Sequence, residues 1–135
     1  GFLYVYVGHE EKGCEMAREQ LPGFGISKIS IENICAIIMA TKMPQSPKNL
    51  QQQIICDADL DYLGRDDFFT ISDSLCKEVL AFKIVANKEA WEKRQELFLQ
   101  SHTYFTKSSQ KLRMPVQLQH IKILLGIKRK QGAKF

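Results

Sequence analysis

The sequence predicts an all-α protein, a compact helical bundle of roughly five to seven helices around one core. Apolar residues recur at three- and four-residue steps along several segments, as one buried helix face requires. Those segments open on capping residues and close on glycine or proline signals. No stretch alternates apolar and polar residues in the manner of a half-buried strand.

The chain opens on Gly1 and runs at once into residues 2–7, an apolar stretch without a charged leader or a cleavage site, which is therefore no secretory signal. Such an opening reads as a chain entered partway through a domain. Residues 9–21 read as helix, with His9, Gly13, Met16, Ala17 and Gln20 on one face and acids over the rest. Gly13 leaves room beside His9. Pro22-Gly23-Phe24-Gly25 is a turn. Ser30 then reads as the N-cap of a helix over 31–42, with Glu32 in its first turn and Ile31, Ile34, Cys35, Ile38 and Met39 as its buried stripe. A proline-bearing loop leads to a helix over 48–63, closed by Gly64. Asp66 or Asp67 caps the next helix, whose Phe68, Ile71, Leu75, Val79 and Phe82 look like core. Asn87 caps a helix over 88–105 that turns Trp91, Leu97, Phe98 and His102 inward. Residues 107–112 continue as helix or a short break. Pro115 sits near the start of a last helix reaching Gly126, on which His120 is exposed.

A chain of 135 residues makes one domain, residues 1–135, with room for a single core. The charge of +4 comes largely from Lys128, Arg129, Lys130 and Lys134, a basic tail that reads as a solvated terminus. A nucleic-acid partner is therefore not expected. No apolar stretch is long enough to span a bilayer, so no membrane is expected either. The cysteines, Cys14, Cys35, Cys56 and Cys76, share no metal-ligand spacing and sit among apolar neighbours. They read as small buried thiols of a reducing, cytoplasmic setting.

The stretch Ile54-Ile55-Cys56-Asp57-Ala58-Asp59-Leu60-Asp61-Tyr62-Leu63-Gly64 places acids inside an apolar run. On a continuous helix, with Ile54 as origin, Asp57 and Asp61 fall together at roughly 300–340°, a solvated stripe. Asp59 falls at roughly 140°, between Ile55 and Leu63 on the apolar side. A carboxylate there needs a metal, a cation or hydrogen-bond donors, and a structural ion pair satisfies it as well as an active site does. His9 reads as a packed or surface residue, or as a ligand if partners converge on it. Lys42 stands where a helix C-terminus favours a cation, and could also meet a phosphate. Arg65 suits a phosphate clamp, or pairs with Asp61, Asp66 or Asp67. The chain has no phosphate-binding glycine loop, no H-E-x-x-H, no G-x-S-x-G elbow and no zinc-finger spacing.

The residues Asp57 to Arg65 resemble the last metal-ligand motif of the HD-superfamily metal-dependent phosphohydrolases, a helix whose Asp closes a site begun by an upstream His and a His-Asp pair. The matching acid is Asp59. His9-Glu10 resembles a later His-Glu pair, at which two-metal relatives place a ligand. Thr41 stands where several relatives carry a further His. Residues 91–106 are similar to a segment in one branch of bacterial members. The resemblance implies a hydrolase acting on a phosphomonoester or phosphodiester, a nucleotide foremost, through a water activated by a divalent ion (Mn, Mg, Fe, Co, Ni or Zn). It implies Asp59 and His9 as metal ligands and Arg65 and Lys42 as phosphate contacts. No His-Asp dipeptide occurs in the chain, so the remaining ligands are expected before Gly1. The alternative is a catalytically incomplete HD-fold regulatory or protein-interaction module.

Overall fold

Gly8 takes a left-handed conformation, φ 79°, that an L side chain adopts only under strain, and from it the first helix departs. The computed structural model describes residues 7–132, with side chains as far as residue 126. Gly1, the apolar residues 2–6 and the basic side chains at 128–130 and 134 lie outside the described residues. Among the described residues six α-helices follow in order: α1 (His9–Gln20), α2 (Lys28–Ala40), α3 (Leu50–Asp59), α4 (Phe68–Ala81), α5 (Lys88–Ser101) and α6 (Lys107–Gly132). Short 3₁₀ turns at Leu21–Phe24 and Asp61–Gly64 punctuate them. The protein is all-α, with no strand among the described residues. No described helix is long and apolar enough to cross a membrane. Contacts divide the chain into two units, Gly1–Asp59 and Leu60–Phe135.

In the first unit, Cys14, Ile31 and Cys35 form the buried cluster, with Ala17, Leu21, Ile38 and Met39 packed against it. The thiols of Cys14 and Cys35 donate to each other's carbonyl oxygens, at 3.5 and 3.7 Å. Burial, and then the Cys35 contact, pushes the Cys14 thiol up to about 11, so at neutral pH it is an inert packing group. Cys56 donates to the Ala40 carbonyl at 3.2 Å and ties α3 to α2. All four cysteines are free and buried, as small packing thiols should be. Helix α2 starts three residues earlier than the sequence suggested. Ser27, not Ser30, is its cap, and its hydroxyl accepts the Ser30 N–H at 3.2 Å. Gly13 faces α2: a Cβ there would meet Ile38 at 3.6 Å, rather than leaving space beside His9.

The second unit is built on Leu60, Leu63, Phe68 and Leu99, with Tyr62, Phe98, Ile121 and Leu124 against them. The close fit of the Asp61–Gly64 turn to α6 is the main architectural fact here. Asp61 receives a forked pair of bonds from Arg113, at 2.6 and 3.2 Å. His120 is not exposed, as its helical position suggested, but 5% accessible. Its Nδ1 lies 3.0 Å from the Leu63 carbonyl, and its ring stacks on Phe68 at 4.6 Å. Gln117 is buried too, donating to the carbonyls of Leu99 and His102 at 2.8 and 2.9 Å.

Other expectations divide. Asn87 caps α5 as anticipated, accepting the Ala90 N–H at 2.9 Å. Asp67 precedes α4 but makes no side-chain cap bond, because Arg65 holds its carboxylate. Helix α5 stops at Ser101, and Leu97 and Phe82 are exposed rather than core. Pro115 lies inside α6, which runs unbroken for 26 residues from Lys107. Helix α4 ends in a Schellman motif: the Ile84 N–H bonds the Val79 carbonyl at 2.8 Å and the Lys83 N–H bonds that of Leu80 at 3.1 Å. The motif forces Lys83 to φ 56°, which suits glycine. Lys83→Gly is therefore expected to stabilise the unit by about 1 kcal/mol in urea unfolding. A loss of stability would contradict the strain argument.

Candidate functional site

The acid-bearing stretch does not form the continuous helix expected of it. Helix α3 ends at Asp59, and Leu60 departs from helical geometry at φ −110°, ψ 17°. The Leu60 carbonyl accepts instead from the Leu63 N–H and from the buried Tyr104 hydroxyl, each at 3.1 Å. The chain then tightens into the 3₁₀ turn of Asp61–Gly64, so Asp57 and Asp61 share no helical stripe.

The phase of α3 differs as well. Asp57, expected in solvent, is 3% accessible, and Ile54 and Ile55 are 50% and 41% accessible. The reason sits at the start of the helix. Asn49 Oδ1 accepts the Gln52 N–H at 3.0 Å, while Gln52 Oε1 accepts the Lys48 N–H at 2.7 Å. That reciprocal cap turns Gln52 inward, and Cys56 and Asp57 follow it on the same side. Asp59, expected on the apolar face, is exposed as a residue. Its carboxyl is nonetheless crowded: desolvation raises its pKa above the ordinary 3.8, and Glu10 adds to the rise. A bond from Gln45 and the charge of a protonated His9 act the other way. Accessibility of the whole residue and crowding of its carboxyl point in different directions. The crowding governs proton affinity, because it acts at the titrating atoms.

The two candidate ligands, His9 and Asp59, both belong to the first unit. His9 opens α1, half-buried, with Nε2 3.3 Å from the Glu10 carboxylate. Glu10 is 8% accessible and was not foreseen. Its position one residue after a candidate ligand was the available signal. Gln45 was not foreseen either. Its amide donates to the Cys56 carbonyl at 3.2 Å and reaches Asp59 at 3.4 Å, holding the end of α3. His9, Glu10 and Asp59 thus lie within electrostatic reach of one another.

The two candidate phosphate contacts have carboxylate partners. Lys42 donates to Glu11, a bond that raises the lysine's pKa and lowers that of Glu11. Arg65 belongs to the second unit and donates from Nε to Asp67 at 3.0 Å, with Asp61 3.9 Å away. Both pairs are solvent-facing and add little to stability.

The described residues do not make a complete divalent-ion site. Hydrolytic metal centres take three or more protein donors. Among the described residues no three His, Cys, Asp or Glu side chains converge to hold an ion. The first unit offers an imidazole and carboxylates at Glu10 and Asp59, arranged around each other rather than around a common point. Compared with family models, curated proteins and solved structures, the chain matches none.

Proposed function

We propose that the chain contributes to a metal-dependent phosphohydrolase of the HD superfamily, acting on a phosphomonoester or phosphodiester, a nucleotide foremost. One observation carries the reading. Asp59, the acid matching the family's ligand, has its pKa raised by desolvation of its carboxyl, within electrostatic reach of His9. A carboxyl placed against its own charge preference is a mark of functional positions. In this reading Asp59 and His9 are part of a donor set, and other residues of the natural protein complete it. Arg65 and Lys42 would exchange their carboxylate partners for substrate phosphate.

A second reading has its own support. Lys42 and Arg65 already hold carboxylates, and no three donors converge among the described residues. Those facts favour an HD-fold module that regulates or docks and catalyses nothing.

Metal content and hydrolysis separate the two. The complete natural protein, loaded with Mn²⁺, should retain metal and cleave p-nitrophenyl phosphate or its bis-ester. Asp59→Ala should lose both while remaining helical. Metal and turnover surviving in Asp59→Ala would remove this residue from the site. Neither metal nor turnover in the unaltered protein would leave the module.

A further inference from the structure

A cleft of about 190 Å³ opens on the second unit, lined by residues of α4 and α5 and by Leu124 of α6. It lies apart in sequence from the proposed metal ligands, and nothing in the activity above uses it. Its walls combine aromatic faces with acids. Phe69 and Trp91 supply the aromatic surface, and Asp73, Glu92 and Glu96 supply the carboxylates. Lys88 is the one cation in the lining. It lies 4.0 Å from Glu92 with its side chain 72% accessible, a loose partner at the limit of an ion pair. Glu96 receives a weak bond from Gln100 at 3.4 Å. Asp73 has no cation partner among the described residues. The lining is therefore net negative on a chain whose formal charge is +4.

The interior of the cleft supplies an independent observation. Gln95 lines it and is only 8% accessible. Its Oε1 accepts from the Ser72 hydroxyl, and Ser72 is 5% accessible. No protein acceptor meets the Gln95 amide NH₂. The residue as a whole is more than nine-tenths buried, yet this nitrogen is not sealed off from solvent, so it is a donor available to an acceptor inside the cleft.

We infer that this cleft binds a small organic ammonium that also carries an acceptor oxygen. The ammonium sits among Asp73, Glu92 and the π face of Trp91, where carboxylates and an aromatic quadrupole act together. An apolar chain lies against Phe69, Cys76 and Leu124. The oxygen accepts from the Gln95 amide. At about 30 Å³ per water-sized group, the volume suits a molecule of roughly six non-hydrogen atoms.

Three six-atom-scale probes differing in charge test this: 4-aminobutanol, neutral 1,4-butanediol and anionic 4-hydroxybutyrate. Proton–nitrogen correlation spectra of the labelled protein give the readout, because the chain has one tryptophan and its indole resonance is unambiguous. The amine should shift the Trp91 indole and Gln95 amide signals saturably, in the millimolar range usual for so small a ligand. The diol should bind at least about tenfold more weakly, and the anion should not bind. Joint replacement of exposed Asp73→Asn and Glu92→Gln should remove the preference for the amine over the diol. The inference fails if the amine gives no saturable shift at Trp91 and Gln95, or if the diol matches it. It also fails if the double variant keeps the preference.

Discussion

Gly64→Ala should destabilise the second unit by about 3 kcal/mol or more, the upper end for forced overpacking. A Cβ built on Gly64 would lie 2.5 Å from the Arg113 carbonyl oxygen, 2.6 Å from its Cβ and 2.8 Å from its carbonyl carbon. Two of those three atoms are backbone, so no rotamer change relieves the clash. Helix α6 has to move off the 3₁₀ turn as a body. Movement would strain the Arg113–Asp61 fork, the His120 contact to Leu63 and the His120–Phe68 stack together. Arg113→Ala in the same background should not rescue stability, because the carbonyl stays where it was. Urea unfolding of the two variants decides the matter. A loss below about 1 kcal/mol for Gly64→Ala would mean that the turn and α6 are not held in this contact.

Asp59→Asn should raise thermal stability at neutral pH and abolish whatever metal-dependent hydrolysis the complete protein has. The folded-state pKa of Asp59 is raised, chiefly by desolvation. Its stabilising contribution is then fully present below the unfolded value near 3.8 and is lost as pH rises through the higher folded value. At neutral pH the ionised carboxylate weighs against the fold. Asparagine removes the charge and keeps an oxygen for the Gln45 amide. The gain in melting temperature should be nearly absent at about pH 4 and should grow towards about pH 8. Activity lost with stability gained would mark a residue retained for chemistry. Equal melting temperatures across that range would show that the carboxyl is solvated and carries no such conflict.

Much of the fold was legible because helix signals are local. The stripe on α2, the Asn87 cap and the cysteines needed only neighbours three or four residues away. The positions misread, as His120 was, or passed over, as Gln117 and Tyr104 were, are those where a polar side chain satisfies distant backbone. His120 reaches Leu63, Gln117 reaches Leu99, and Tyr104 takes the carbonyl at which α3 stops. Hydropathy assigns such residues to solvent, and a single sequence holds no sign of partners 18 to 57 positions away. The same blindness misplaced the candidate site. Gln52 carries no apolar signal, yet it is buried, bonded to the Lys48 N–H, on the side of α3 that also buries Asp57. His9 and Asp59 were identifiable as ligand types. The desolvation of Asp59, its bond from Gln45 and the nearby charge of Glu10 were not.

The chain's single tryptophan lies on α5, in the second unit, as do Tyr62 and Tyr104. Indole emission therefore gauges one part of the molecule, and among the described residues the first unit has neither chromophore. A melt followed at the emission maximum would register Gly64→Ala directly. Asp59→Asn changes the first unit, and its melt is followed by far-ultraviolet circular dichroism, to which the peptide groups of α1, α2 and α3 contribute in full.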